Sequence, residues 1–257
     1  MRHLQILFVM LLLTTPAGTV AQDGDQEADD LPDVSGLWAQ KVVTTTLSDV
    51  PIIGDVTSRT VSLQLLEIHQ DGADLELTSR TCSIDVNSSV SVIRTEIPDR
   101  FIAAIGKVQR PASLVEQDGG FKLVVPERVE VLGARLRQPR EEYLPSDAED
   151  PRVYDHDKDG HPGMTVRVRG MIDGELYLVH RGMDRLVGTL DGDQVQGRVR
   201  WKQEQSVIDS TSIFLGDPPD SQAHPDASRN KFHMKRLDEA SSCKAVVAAK
   251  TKLFGSN

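Results

Sequence analysis

Met164, Val166 and Val168 alternate with Thr165, Arg167 and Arg169, and an Asp173-Gly174 pair follows them. A period of two puts the first set on one face of a strand and the second on the other. Runs at 175–181, 185–190 and 194–204 continue the pattern, the last two separated by Asp191-Gly192-Asp193. In the 194–204 run, Val195, Gly197, Val199 and Trp201 share a face, and Gln196, Arg198, Arg200 and Lys202 take the other. Earlier runs at 36–46, 61–69, 73–86, 90–97, 101–108 and 121–136 are rich in β-branched residues and are punctuated by Asp71-Gly72 and Asp118-Gly119-Gly120. Asp-Gly pairs between such runs are hairpin signals. Phe232 and Met234 mark a last short strand, and the Ala/Lys/Val-rich stretch 241–253 reads as a short C-terminal helix. The expected fold is all-β: an antiparallel up-and-down barrel, since closure removes exposed strand edges, with a two-sheet sandwich as the alternative.

The N-terminus sets the compartment. Arg2 and His3 precede an apolar run at 4–13, and Thr19-Val20-Ala21 fits a cleavage site. This is the pattern of a secretory signal peptide over 1–21, and the run is too short to span a bilayer. Residues 22–33 are acidic and lack apolar periodicity, as expected of a flexible leader. Residues 34–257 then form a single domain. The implied location is secreted or periplasmic, with no stable membrane insertion. There Cys82 and Cys243, the only two cysteines, read as one disulfide. A net charge of −10 argues against nucleic acid as a partner. Oligomeric state is not legible.

The acidity is concentrated. Glu141, Glu142, Asp147, Glu149, Asp150, Asp155, Asp157 and Asp159 face only Arg152 and Lys158 in the same stretch. Residues 137–163 therefore read as a long inserted loop. Within it, Asp155-His156-Asp157-Lys158-Asp159-Gly160-His161 places three carboxylates at alternating positions before a glycine that permits a sharp turn. Convergent carboxylates plus a backbone carbonyl, here that of His161, make an oxygen cage for a hard cation, and calcium is the expected cofactor. The segment resembles the calcium loops of EF-hands, dockerins and thrombospondin type 3 repeats, in which the first, third and fifth positions bind calcium. Those are Asp155, Asp157 and Asp159 here. The twelfth position, a glutamate in EF-hands, is Val166, and the loop (155–166) runs into a strand instead of a helix. A completing carboxylate must come from elsewhere, with Asp147, Glu149 and Asp150 the nearest candidates. Affinity is expected at the weak extracellular end, on the order of 10⁻⁴ to 10⁻³ M.

Gly36-Leu37-Trp38 opens the first strand-like run. It resembles the G-x-W of lipocalins and their calycin relatives. The resemblance implies that Trp38, with Gly36, closes one end of an eight-stranded barrel holding a small apolar ligand. It also implies that a Cys82–Cys243 bridge ties the C-terminal segment to the barrel. The T-D-Y motif of lipocalins is absent. Arg167, Arg169, Arg198 and Arg200 fall on polar faces and read as solvent-facing, or else as a lumen lining. There is no G-x-S-x-G, H-E-x-x-H or Walker loop, so no catalytic residue is assigned. Non-catalytic binding of a small apolar ligand or a surface partner is the leading expectation. A calcium-stabilised extracellular hydrolase is the first alternative, and a calcium-dependent adhesion or structural module the second.

Overall fold

The structure is a computed structural model that describes residues 31–50, 54–90, 92–212, 215, 221–238 and 241–255. The signal peptide expected over 1–21 and most of the leader expected over 22–33 lie outside the described residues. Eleven strands run β1 (Gly36–Val50), β2 (Gly54–Asp71), β3 (Asp74–Ser88), β4 (Ile93–Glu96), β5 (Lys107–Gln117), β6 (Gly120–Leu132), β7 (Met164–Gly170), β8 (Gly174–Asp191), β9 (Gln194–Ser210), β10 (Ser221–Ala223) and β11 (Lys231–Arg236). Three short α-helices accompany them among the described residues, α1 (Asp99–Ile105), α2 (Cys243–Ala248) and α3 (Lys250–Phe254), with one 3-10 turn at Ala227–Arg229.

All strand pairings are antiparallel, and eight of the strands close on themselves. The order β8-β6-β5-β3-β2-β1-β11-β9 returns to β8 through a long β8–β9 hairpin. Neighbours around this ring follow chain order, as the Asp-Gly hairpin signals lead one to expect. Three strands lie off the ring. On one edge of β8, β6 pairs with its C-terminal part, Leu132 facing His180, and β7 takes over below it, Met164 facing Leu178. β4 adds to β7, and β10 pairs with β1.

The packed end of the ring is built on Trp38, which is fully buried among Leu66, Leu186, Val195, Val199, Phe232 and Met234. Its indole N–H donates to the Val34 carbonyl at 2.8 Å, and the Arg236 guanidinium sits 5.0 Å from its ring centroid. Gly188 and Gly197 face each other across β8 and β9, and a Cβ on either would come within 2.6 Å of the Phe232 ring. The glycine that breaks the apolar face of β9 is thus the space Phe232 occupies.

Three local expectations need correction. Residues 101–108 are not a strand. Pro98 starts α1 and Gly106, at φ 70°, ends it, so residues 99–105 are helical and only Lys107 onward is extended. The two runs at 175–181 and 185–190 are one continuous β8, because Gly182 stays in register opposite Gln203 instead of turning. The C-terminal helix is two helices that meet at Ala249. Cys82 and Cys243 form the disulfide, which joins β3 to the start of α2; Val246 of α2 packs on Ala39 and Leu63 outside the ring.

Candidate functional site

Two features lie side by side: the acidic loop and a cavity inside the ring. The insertion between β6 and β7 packs Leu144 and Val153 against Tyr177 and Val179 of β8 and Ile208 of β9. Arg181, buried on β8, donates to the carbonyls of Pro139 and Glu142 and pairs with Glu204, which fixes the start of the insertion. Tyr154 and Gly163 then zip the ends of the loop together, Gly163 N–H donating to the Tyr154 carbonyl and His156 N–H to that of Gly163, each at 3.0 Å.

Within this clasp Asp155, Asp157 and Asp159 bring one carboxylate oxygen each to within 4.8 Å of one another. Asp155 accepts from the N–H groups of Asp159 at 3.2 Å and Gly160 at 3.0 Å, a tight turn that Gly160 closes at φ 96°. Asp159 accepts from His161 N–H at 2.9 Å and from the Thr165 hydroxyl at 2.5 Å. Asp157 is 6% exposed. Its Oδ2 accepts from Thr165 N–H at 3.1 Å, while Oδ1 is buried with no hydrogen-bond partner among the described residues. Burial, partly offset by the Thr165 bond, raises its pKa, and the neighbouring Asp159 and Asp155 push the same way. A buried, partnerless carboxylate oxygen beside two further carboxylates is an arrangement that costs free energy unless a cation joins it. Three hard oxygen donors suit calcium or magnesium better than zinc or copper. The donor set therefore fits a divalent hard cation.

Of the other acids expected to contribute, Asp150 is committed elsewhere. Arg152 bonds both of its oxygens, at 2.9 and 2.7 Å, and holds its pKa down to about 2. Asp147 accepts from Glu149 N–H in its own turn at 2.9 Å. The group of acids close enough to share a cation, among the described residues, is Asp155, Asp157 and Asp159 alone. The His161 ring does not enter it but stacks on Tyr177, centroids 4.3 Å apart.

The cavity is about 360 Å³ and lies in the lumen of the ring. Its packed end is apolar, with Leu66, Leu77, Leu186 and Met234. Its middle carries Gln40, Gln64, Arg110 and Asp184. Its far end is capped by Phe101 and Ile105 of α1, with Ile84, Leu132 and Val166. His180 faces the lumen, where burial alone depresses its pKa to about 4. The ring is enclosed by protein yet keeps cavity-facing surface, which explains how one group is both deeply buried and partly accessible. Its Nδ1 lies 3.3 Å from the Gln205 amide.

The loop and the cavity share their supports. Arg100 of α1 donates to the Lys158 carbonyl at 3.0 Å. His156 accepts from Gly133 N–H at its Nδ1 at 2.9 Å, and burial lowers its pKa against the opposing pull of the Ala104 backbone of α1. Thr165 holds two of the aspartates, and its neighbour Val166 lines the lumen.

The arginines singled out on the strand faces do not line the cavity. Arg167 pairs with Glu175 and Arg169 with Glu96, and Arg198 reaches the Ala227 carbonyl. Of the arginines that do line it, Arg110 escapes sequence reading because Pro111 disguises its strand, and Arg128 because a bulge between Val125 and Arg128 shifts the alternation within the 121–136 run. No family model matches this sequence, and a search of curated proteins also finds no match.

Proposed function

We propose that this is a secreted or periplasmic, non-catalytic binding protein: a calycin-like barrel that takes a small molecule into its lumen, with calcium held by Asp155, Asp157 and Asp159. The observation that carries the reading is the lumen itself. A cavity of about 360 Å³ falls within the size range of small-molecule sites, and its apolar end and convergent polar groups have the composition of one. The burial of Trp38 at the packed end supports the lipocalin-like reading of Gly36 and Trp38. In this reading calcium has no chemical step to perform. It neutralises the buried Asp157 and stiffens a loop on which α1, the cap of the lumen, rests.

The supporting test is a titration with Nile red, a neutral dye whose emission rises in apolar surroundings. Saturable one-to-one enhancement is expected, together with its loss in Ser62→Trp, which fills the lumen. Enhancement that is unaffected by S62W, or absent altogether, contradicts lumen binding.

A further inference from the structure

The charged side chains that enter the lumen are paired, whereas a row of neutral ones is not. Arg110 donates to the Asp184 carboxylate at 2.5 Å and to the carbonyls of Asp184 and Pro126 at 3.1 and 2.9 Å. Arg128 pairs with Glu130 at 2.5 Å through its Nη2, and its Nε–H is buried with no partner among the described residues. Lys202 borders the cavity only from an exposed position. Trp201 donates its indole N–H to Asn230 at 2.9 Å, and Gln203 its amide to Ser221 at 3.2 Å.

Gln40 and Gln64 differ from these. They sit directly opposite each other in the β1–β2 register, and Thr81 follows opposite Gln64 on β3. All three line the cavity, and their side chains make no hydrogen bond to any described residue. Gln40 is only 4% exposed, so what surface it has belongs to the lumen. The row lies next to the apolar end, since Leu66 is two residues from Gln64 on the same face.

The amides of Gln40 and Gln64 keep cavity-facing surface without a partner among the described residues, so a ligand's own polar group can take the place of lumen water on them. Each glutamine offers both a donor and an acceptor. An anionic head would have to shed its hydration to meet guanidiniums whose charge Asp184 and Glu130 already neutralise, and a cationic one would find those two carboxylates already paired. We propose, on the reading that the lumen is the binding site, that its ligand is an uncharged amphiphile. An apolar chain or ring enters the packed end, and an amide- or hydroxyl-type head meets Gln40, Gln64 and Thr81.

Trp201 lines the cavity and Trp38 is buried at its packed end, so tryptophan emission reports occupancy. The test titrates the protein, in calcium, with octanamide, octanoate and octylammonium, probes of one chain length and three head-group charges. Octanamide is expected to bind about tenfold tighter than either ion, and Q40L/Q64L to remove about that factor for octanamide while leaving the ions little changed. Should the double variant melt early, Gln64→Leu alone carries the comparison. Octanoate or octylammonium binding as tightly as octanamide, or an octanamide affinity indifferent to the glutamines, overturns the neutral-ligand proposal and leaves lumen binding standing. Should no probe give a saturable change, lumen binding falls and the proposal with it.

Discussion

Thr165 donates its backbone N–H to Asp157 at 3.1 Å while its hydroxyl donates to Asp159 at 2.5 Å. One residue of β7 therefore holds two members of the acidic cluster, and the next residue, Val166, is lumen wall.

The Asp157 carboxylate is a liability without a cation and an asset with one. Asp157→Asn removes a buried charge flanked by Asp155 and Asp159, so the chelator-treated variant is expected to melt above the chelator-treated parent. Calcium is expected to raise the parent's midpoint, by about 2.7 kcal/mol of stabilisation at a hundredfold excess over Kd, with magnesium weaker. D157N is expected to show no calcium-dependent rise. Differential scanning calorimetry with and without calcium checks both signs; a calcium response that survives D157N contradicts the assignment.

Arg100 carries the mechanical link from loop to cap. Arg100→Ala removes the bond to the Lys158 carbonyl, and exposed positions of this kind cost little global stability. Faster amide hydrogen exchange is expected in α1 and in residues 155–163, with β1–β3 unchanged. Uniform protection across parent and variant shows that α1 is held by its apolar contacts alone.

His180 gives a pH dependence of defined sign. Its folded pKa, about 4, lies below the ordinary histidine value, so the unfolded chain takes up a proton first as pH falls. Its contribution is present above about pH 6.5 and is lost as pH drops toward 4, with a ceiling of about 3 kcal/mol that cavity water reduces. His180→Gln keeps a group able to bond Gln205 and cannot protonate. The gap between the urea midpoints of H180Q and parent is expected to widen in the variant's favour from pH 6.5 to 4.5. A constant gap shows that the ring is solvated.

The disulfide joins two positions 161 residues apart in sequence. Cys82→Ser/Cys243→Ser is expected to lower stability by about 2–5 kcal/mol, and limited proteolysis is expected to cut first around α2 and α3. Val246 is the main anchor left to that segment. Resistance of the C-terminal helices to protease in the variant contradicts this.

Much of this was legible in the sequence, for identifiable reasons. Asp-Gly turns and period-two runs mark strands because a hairpin fixes both register and face, and the neighbours around the ring follow from them. Asp155, Asp157 and Asp159 are readable because their spacing is local. Asp147, Glu149 and Asp150 were grouped with them by proximity in sequence alone, and Arg152 competes for Asp150 more effectively. The seven-residue α1 was hidden because its apolar residues, Phe101, Ile102 and Ile105, satisfy a strand count as well as a helical one. The lumen's polar row was hidden because Gln40, Gln64 and Thr81 lie on three strands, and only the register brings them together.

The most direct measurement is the octanamide dissociation constant, read from tryptophan emission, in millimolar calcium and again in excess chelator on the same protein. If calcium at the three aspartates braces the loop that supports α1, binding is expected to weaken about fivefold or more in chelator, a coupling of about 1 kcal/mol or above. An equal constant in both conditions contradicts a metal-braced binding lumen.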